Sequence, residues 1–383
     1  MTPITSTGCS YSDNRRTPVC RRVVLLIFAL LGIVLVGGCQ ARGTPGSTAT
    51  PRQLWSTTID GRLEYLVSAR THEGSFVVAS TRNDDFAVLQ VISENGKSTP
   101  LAKVKPWGEE GFLPWLPTPW GAYLLFSEEP GSTVLGLIGK AKTQKLPPPP
   151  SSFSYVDIAP DNGAALLLHD DQPIVAVEGI STTSRDPNTV SLSAAGIASR
   201  TDVTALFEPD GGIWAFNLHQ VASLDRNGSL RWTAKTTVTP NLSASRRLVA
   251  VRDTEGLRVL DTAGNVVWQG GSSEDSLTGF SPDDRWFGYK QPKTQTLNIV
   301  NLESKATHQV QLKPNTSALL LNSGVVALVG DVQSGGTSVS ILAPDGKAIG
   351  SYQHQGDLQV FALPDGGFIL VRRSNRVEGY SLN

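Results

Sequence analysis

Residues that could bind a metal or transfer a proton are spread along the whole chain. The five histidines are His72, His169, His219, His308 and His354, and no two of them share the short spacing of a metal-binding motif. A ring of repeats could still bring some of them together. We interpret them as ordinary surface or strand residues and predict no metal site from them.

Three pairs of neighbouring aspartates could hold calcium or work as an acid and a base. The pairs are Asp84-Asp85, Asp170-Asp171 and Asp283-Asp284. All three lie at predicted turns, which favours solvated turn tips. The chain also lacks a Gly-x-Ser-x-Gly elbow, a His-Glu-x-x-His motif, a Walker loop and an EF-hand loop. The sequence therefore predicts no catalytic residue, no metal ligand and no cofactor, and it leaves the ligand-binding residues unknown.

Cys39 is the residue whose surroundings predict a chemical modification. A region with four arginines precedes the 14-residue apolar run Val23–Val36, and Gly37 and Gly38 lead to the cysteine. This is the layout of a secretory signal peptide over residues 1–38. The run is shorter than the ~20 residues of a bilayer-spanning helix. Met1 is the only methionine, so initiation at a non-Met codon near Val19 is an alternative start.

The end of this run, Val36-Gly37-Gly38-Cys39, resembles the lipobox of bacterial lipoproteins. The resemblance implies cleavage before Cys39 and lipidation of both its sulfur and its new amine. Several acyl chains are needed, because each buried CH₂ contributes ~0.8 kcal/mol and one chain anchors only marginally. Gln40 is not the Asp that retains such lipoproteins in an inner membrane. An outer membrane is therefore implied in a two-membrane host, and otherwise the outer face of the cytoplasmic membrane. The alternative is an uncleaved signal anchor.

Residues 39–52 contain small polar residues with Gly and Pro, which predicts a flexible tether with a mean reach of roughly 20 Å. The segment 53–383 is the predicted folded domain, and it has no cysteine, since the others are Cys9 and Cys20. The formal net charge is -1. That near-neutral balance gives no electrostatic basis for binding nucleic acid.

A ten-residue pattern occurs twice in the folded domain, as Ser223–Trp232 and again as Val259–Trp268. Each copy predicts an apolar strand, a turn at Gly228 or Gly264, and a second strand that reaches a Trp. Glycine allows the positive φ of a tight hairpin. Hairpins that recur every 35 to 50 residues are typical of propeller blades.

A second pattern places a Pro-Asp turn before an apolar strand. Together with degenerate copies, these turns predict eight four-stranded blades of an all-β propeller, with seven as the alternative. The last blade lacks a fourth strand. Gln53–Thr58 resembles the missing strand, so we expect an N-terminal strand to close the ring.

Both patterns resemble known propeller repeats. Asp225…Gly228…Trp232 resembles the quinoprotein-type (PQQ-like) repeat, and Phe280-Ser-Pro-Asp283 resembles WD-repeat (WD40-like) and TolB-type blades. The resemblance implies that Trp232 and Trp268 pack between neighbouring blades. With the lipobox and tether, the most similar known case is the propeller lipoprotein of the outer-membrane β-barrel assembly machinery.

Two proline-rich segments have open interpretations. Region 105–121 has three Trp and four Pro, which favours a packed strand connection over a ligand-binding loop. Pro147–Pro150 predicts an extended polyproline link between blades, or else a ligand for a partner. The preferred function is a lipid-anchored envelope scaffold that binds an envelope protein. The alternative is an envelope hydrolase, lyase or dehydrogenase with its site at the propeller mouth.

Overall fold

The computed structural model describes thirteen segments of the chain: 51–59, 62–71, 74–83, 86–93, 95–104, 115–126, 133–137, 140–180, 188–332, 336–354, 358–363, 366–372 and 376–382. The predicted signal peptide, Cys39, His72 and the Asp84-Asp85 pair lie outside these segments. Within them, no helix has the length and apolar character needed to cross a bilayer.

The described residues form eight four-stranded antiparallel sheets, numbered here in chain order. Sheet 1 contains β2 (Arg62–Thr71), β3 (Gly74–Asn83), β4 (Phe86–Ile92) and β5 (Ser98–Val104). Sheet 2 contains β6 (Trp115–Pro117), β7 (Ala122–Phe126), β8 (Thr133–Leu137) and β9 (Lys140–Leu146). Sheet 3 contains β10 (Phe153–Ile158), β11 (Ala164–His169), β12 (Ile174–Gly179) and β13 (Asn188–Ser191). Sheet 4 contains β14 (Thr204–Phe207), β15 (Ile213–Phe216), β16 (Gln220–Leu224) and β17 (Leu230–Lys235).

The second half of the chain repeats this plan. Sheet 5 contains β18 (Asn241–Leu242), β19 (Leu248–Arg252), β20 (Leu257–Asp261) and β21 (Val266–Gly270). Sheet 6 contains β22 (Ser276–Phe280), β23 (Trp286–Gln291), β24 (Thr296–Asn301) and β25 (Thr307–Gln311). Sheet 7 contains β26 (Ser317–Leu320), β27 (Val326–Val332), β28 (Gly336–Leu342) and β29 (Ala348–His354). Sheet 8 contains β30 (Leu358–Ala362), β31 (Phe368–Arg372), β32 (Arg376–Ser381) and β1 (Arg52–Thr58).

Several consecutive sheets contact each other through their first strands, and sheet 8 contacts sheet 1 in the same way. Strand β10 contacts β14, β18 contacts β22, β22 contacts β26, and β26 contacts β30. Strand β30 in turn contacts β2 of sheet 1. Four-stranded antiparallel sheets in succession around a ring are the architecture of a β-propeller. The predicted all-β propeller is confirmed.

Local turn chemistry explains the repeated Asp-x-x-Gly pattern. The Oδ1 atom of Asp225 accepts hydrogen bonds from the backbone N–H groups of Asn227 and Ser229, both at 2.8 Å. The N–H of Gly228 donates to the Asp225 carbonyl at 3.0 Å, and its φ is 82°. The turn that begins at Asp261 repeats the arrangement. The carboxylate satisfies turn N–H groups that the strands leave free, and the glycine supplies the left-handed residue.

The tryptophans of these repeats pack across the boundary between sheets. Trp232 of sheet 4 donates from Nε1 to the carbonyl of Thr262 in sheet 5, at 2.9 Å. A Cβ placed on Gly264 would lie 2.8 Å from the Trp232 ring, so the indole packs directly on the glycine backbone. Trp268 of sheet 5 packs against Phe287 of sheet 6, with ring centroids 5.5 Å apart. The predicted packing of both tryptophans between blades is confirmed.

The N-terminal strand closes the ring, as the sequence predicts. Strand β1 pairs antiparallel with β32, and it begins at Arg52, one residue before the predicted domain boundary. Trp55 is 8% exposed and spans two sheets. A Cβ on Gly379 of sheet 8 would lie 2.2 Å from its ring, and one on Gly96 of sheet 1 would lie 2.8 Å from its Cβ. Trp55 thus joins the last sheet to the first.

The tether begins at a defined face of the ring. In each antiparallel sheet, the turn between the first two strands and the turn between the last two lie on the same face, called here the Pro-Asp face. In sheet 8, Phe368 follows the Pro-Asp turn and pairs with Tyr380. The adjacent residue Ser381 pairs with Arg52. The chain therefore enters the domain at the outer rim of the Pro-Asp face.

We expect Trp55→Ala to lower the free energy of unfolding by ~3–5 kcal/mol, because it removes the indole that packs between the first and last sheets and leaves a cavity there. The matched control is Leu54→Ala, since Leu54 is 54% exposed and its loss should change stability by less than ~0.5 kcal/mol. Urea unfolding followed by tryptophan fluorescence and circular dichroism measures both. Equal effects of the two substitutions would mean that Trp55 does not hold the ring closed.

Candidate functional site

The inner part of the Pro-Asp face contains a buried ion pair that joins three sheets. Asp157 on β10 and Arg246 in the β18–β19 turn are 2% and 7% exposed. The Arg246 guanidinium binds both carboxylate oxygens, Nη1 to Oδ2 and Nη2 to Oδ1, the latter at 3.3 Å. Between them, the N–H of Phe207 on β14 donates to Asp157 Oδ2 at 2.6 Å, and the Phe207 carbonyl accepts from Arg246 at 3.2 Å.

Two tryptophans enclose this pair. The Arg246 guanidinium lies over the ring of Trp120, 4.8 Å from its centroid, in cation–π geometry. The indole N–H of Trp120 donates to the carbonyl of Ile158 at 3.0 Å. Trp214 donates to the Arg246 carbonyl at 2.8 Å. Sheets 2 to 5 therefore meet at Arg246. Trp120 has a packed structural role, which agrees with the preferred interpretation of region 105–121. Residues 105–114 of that region lie outside the described segments.

Burial shapes the electrostatics of this cluster. Removal from water raises the pKa of Asp157 above its ordinary value, while the charge and hydrogen bonds of Arg246 and the N–H of Phe207 lower it. The contacts with Arg246 and Phe207 therefore offset part of the cost of burying the Asp157 carboxylate. Loss of the arginine would leave it without its countercharge.

The polar contacts continue into sheets 6 and 7. Ser245 donates to Asp284 Oδ2 in the Pro-Asp turn of sheet 6. The N–H of Asp283 donates to the side-chain oxygen of Asn322 in sheet 7 at 2.9 Å. Asp284 Oδ1 is buried and accepts no hydrogen bond from the described residues, and burial raises the pKa of Asp284 to about 6. The interpretation of this acidic pair as a solvated turn tip is wrong for Asp284, because Ser245 of the preceding sheet covers it.

A second buried carboxyl lies further out on the same face. Glu208 is fully buried, and burial raises its pKa to about 7. Ser223 donates to its Oε1 at 2.6 Å, and Arg231 of the outer strand donates to its Oε2 at 2.7 Å. Arg231 also binds Asp210 at 2.9 Å. A Cβ on Gly212 would lie 2.7 Å from Glu208 Oε2, so the site has no space for a larger residue there.

The other candidate residues from the sequence analysis, the histidines and the Asp170-Asp171 pair, do not come together in one site. Four of the histidines are described, and they belong to different sheets: His169, His219, His308 and His354. His169 accepts from the backbone N–H of Asp171, which is exposed at a turn as predicted, whereas Asp170 is half-buried and accepts a hydrogen bond from Ser154 at 2.9 Å. No group of three or more His, Cys, Asp or Glu that could hold a metal occurs in the described part of the chain.

The arrangement suits the joining of sheets more than the transformation of a substrate. Asp157 and Arg246 bind each other and backbone groups of sheet 4, whereas Glu208 binds Ser223 and Arg231 of its own sheet. Sequence reasoning missed all three. The sequence does contain a signal for Glu208, because it is an acidic residue directly before a Pro-Asp turn. The other copies of this pattern have Ala159, Ser281 or Leu363 at that position.

We expect Arg246→Met to lower the free energy of unfolding by ~3–5 kcal/mol, because Asp157 would remain buried without its partner. Arg247→Met is the matched control, since Arg247 is exposed and adjacent. Adding Asp157→Asn to Arg246→Met should recover part of the loss. Urea unfolding of the three variants measures this. A loss no larger than that of Arg247→Met would contradict a structural role for the pair.

Stability should also depend on the protonation of Glu208. Its pKa rises from 4.5 to about 7 on folding, so its contribution is complete below pH 4.5 and is lost as the pH rises through 7. The free energy of unfolding should fall by up to about 3 kcal/mol over this range. Asp284 should add to this fall as the pH rises through 6, because burial raises its pKa to about 6. Urea unfolding at pH 5 and pH 8 measures the drop. Glu208→Gln should reduce it and the exposed Glu303→Gln should not; an unchanged drop in Glu208→Gln would refute the assignment.

No protein-family model matches the sequence, and no curated protein matches it. Among solved structures, BamB from Moraxella catarrhalis is 13% identical with a TM-score of 0.34, covering 87% of this chain and 98% of its own. Virginiamycin B lyase from Staphylococcus aureus is 10% identical with a TM-score of 0.43, covering 87% and 100%. A streptogramin B lyase structure is 9% identical with a TM-score of 0.45, covering 87% and 97%. The propeller architecture of this chain follows from its own strand pairing.

Proposed function

We propose that this protein is a lipid-anchored propeller of the bacterial cell envelope that binds an envelope protein and acts as a scaffold. The observation that carries the proposal is the position of Cys39. It follows the apolar run and two glycines at the cleavage end of a signal peptide, and a small-residue tether follows it. Lipid on this cysteine would hold the domain at an outer membrane, or at the outer face of the cytoplasmic membrane in a one-membrane host.

The way in which the tether joins the domain is consistent with such an anchor. The tether runs into β1, which is hydrogen-bonded along its length to β32. A domain attached through a paired strand keeps its orientation relative to the attachment point better than one attached through a frayed end. With a mean reach of roughly 20 Å for the tether, the ring would stand just off the membrane surface.

A scaffold role agrees with the charges of the Pro-Asp face. Asp157 and Arg246 are engaged with each other and with a neighbouring sheet, and Glu208 is engaged with Arg231 of its own sheet, so these charges stiffen the ring on which loops are displayed. An enzyme at the propeller mouth would need acids or bases that converge on a substrate. No contact among the residues that the structure describes favours that alternative.

The test is the membrane attachment of Cys39→Ala. We expect the wild type to fractionate with membranes, to be extracted only by detergent, and to carry a mass increase on residue 39 after loss of residues 1–38. Cys39→Ala should lose the mass increase and its detergent-dependent extraction. Cys20→Ala is the matched control, because that cysteine lies in the segment to be removed. A wild type whose mature residue 39 carries no added mass, or a Cys39→Ala protein that loses residues 1–38 and still requires detergent for extraction, would refute the anchor.

A further inference from the structure

A chain of polar groups joins sheets 4 and 5 through the buried carboxyl of Glu208. Ser223 on β16 is fully buried, and its hydroxyl oxygen lies 2.6 Å from Glu208 Oε1 and 3.3 Å from the carbonyl oxygen of Thr262. Thr262 belongs to the turn between β20 and β21 of sheet 5. The three groups therefore form a continuous path from a carboxyl of one sheet to a backbone carbonyl of the next.

The charge of Glu208 decides where the Ser223 hydroxyl points. A serine hydroxyl has one proton to donate, so one of the two neighbouring oxygens is its main acceptor. A charged Glu208 only accepts hydrogen bonds, and the serine proton is then directed at Oε1. A neutral Glu208 can donate its own O–H to Ser223 Oγ, which frees the serine proton for the Thr262 carbonyl. An O–H···O distance of 2.6 Å permits donation in either direction.

Arg231 determines which carboxyl oxygen carries the proton. Its guanidinium donates to Glu208 Oε2 at 2.7 Å, and an arginine in a protein keeps its charge. Oε2 is therefore an acceptor in both states, and the proton belongs on Oε1, which faces Ser223. The Thr262 carbonyl can accept the serine as well as the indole N–H of Trp232 at 2.9 Å, because a backbone carbonyl has two lone pairs.

The other charged group that faces Glu208 is Asp210, in the Pro-Asp turn of the same sheet. Burial is the main cause of the raised pKa of Glu208, and the charge of Asp210 raises it further. Burial also raises the pKa of Asp210, but the N–H of Gly212 and the charges of Arg231 and Arg226 outweigh this and lower it. Among the described residues, no charged group of sheet 3 or sheet 5 shifts the pKa of Glu208. The proton taken up near neutral pH is therefore held by Glu208.

We propose that the chain of Glu208, Ser223 and Thr262 is a proton-operated switch at the junction of sheets 4 and 5. Protonation of Glu208 turns the Ser223 hydroxyl from a bond within sheet 4 to a bond with sheet 5, and deprotonation reverses the change. Acidification thus adds one hydrogen bond to a junction that the Trp232 indole already holds. This inference does not depend on the lipid anchor, so its test is separate from that of the proposed function.

The test follows the Thr262 carbonyl in the full-length protein purified in detergent. Labelling threonine with ¹³C at the carbonyl and alanine with ¹⁵N selects four Thr-Ala pairs, which begin at Thr48, Thr204, Thr233 and Thr262. The carbonyl ¹³C shift of Thr262 is recorded by NMR between pH 5 and pH 8. It should move downfield as the pH falls, with a midpoint at about 7, because a second hydrogen bond polarises the carbonyl. The signals of Thr204 and Thr233 in sheet 4 should not move.

Three variants separate the switch from an effect of charge through space. Glu208→Gln should hold the Thr262 signal at its low-pH position, because Arg231 binds the amide oxygen and leaves the amide N–H to donate to Ser223. Ser223→Ala should make the signal independent of pH. Ser229→Ala, which changes an exposed serine of the same hairpin, should titrate as the wild type does. A Thr262 signal that stays fixed in the wild type, titrates in Ser223→Ala, or takes its high-pH position in Glu208→Gln would overturn the proposal.

Discussion

The pairing of β1 with β32 is the interaction on which the rest of the structure depends. Sheets in a propeller are stabilised by their neighbours on both sides, so a ring with one open junction exposes the apolar sides of two sheets and an unpaired strand edge. Strand β1 supplies the fourth strand of sheet 8, and Trp55 then reaches the β4–β5 turn of sheet 1. Residues more than 300 positions apart in sequence are thereby made neighbours.

Apolar packing holds neighbouring sheets together, and polar contacts fix their relative positions. The apolar clusters join pairs of sheets, as where Leu166 and Phe207 pack in one cluster of sheets 3 and 4. Apolar packing alone tolerates small rotations, since it is not directional. The pair of Asp157 and Arg246 adds directional bonds that span sheets 3 to 5, at the expense of desolvating two charges. Such pairs add little net stability compared with apolar replacements, but breaking one is costly. We infer that this pair specifies the relative placement of the sheets.

Local patterns were predictable because their physical cause is local. The Asp225 and Asp261 carboxylates bind N–H groups two and four residues away, so the sequence itself contains both partners of each bond. The closing strand was predictable because a blade short of one strand needs a segment of matching pattern. The site was not predictable, because Arg246 reaches Asp157 across 89 positions and neither residue stands in a distinctive pattern. Burial of Asp284 likewise depends on Ser245 from another sheet, which no window around the acidic pair contains.

The proposed anchor at Cys39 lies only thirteen positions before Arg52, where the closing strand begins. Under the proposed anchoring, any force that the tether transmits from the membrane arrives at β1, which is paired with β32. The same connection sets which outer strands lie beside the tether, because Pro51 packs on β29. Trp55 of the same strand packs on Gly96 of sheet 1, so the tether joins the ring between sheets 7 and 1.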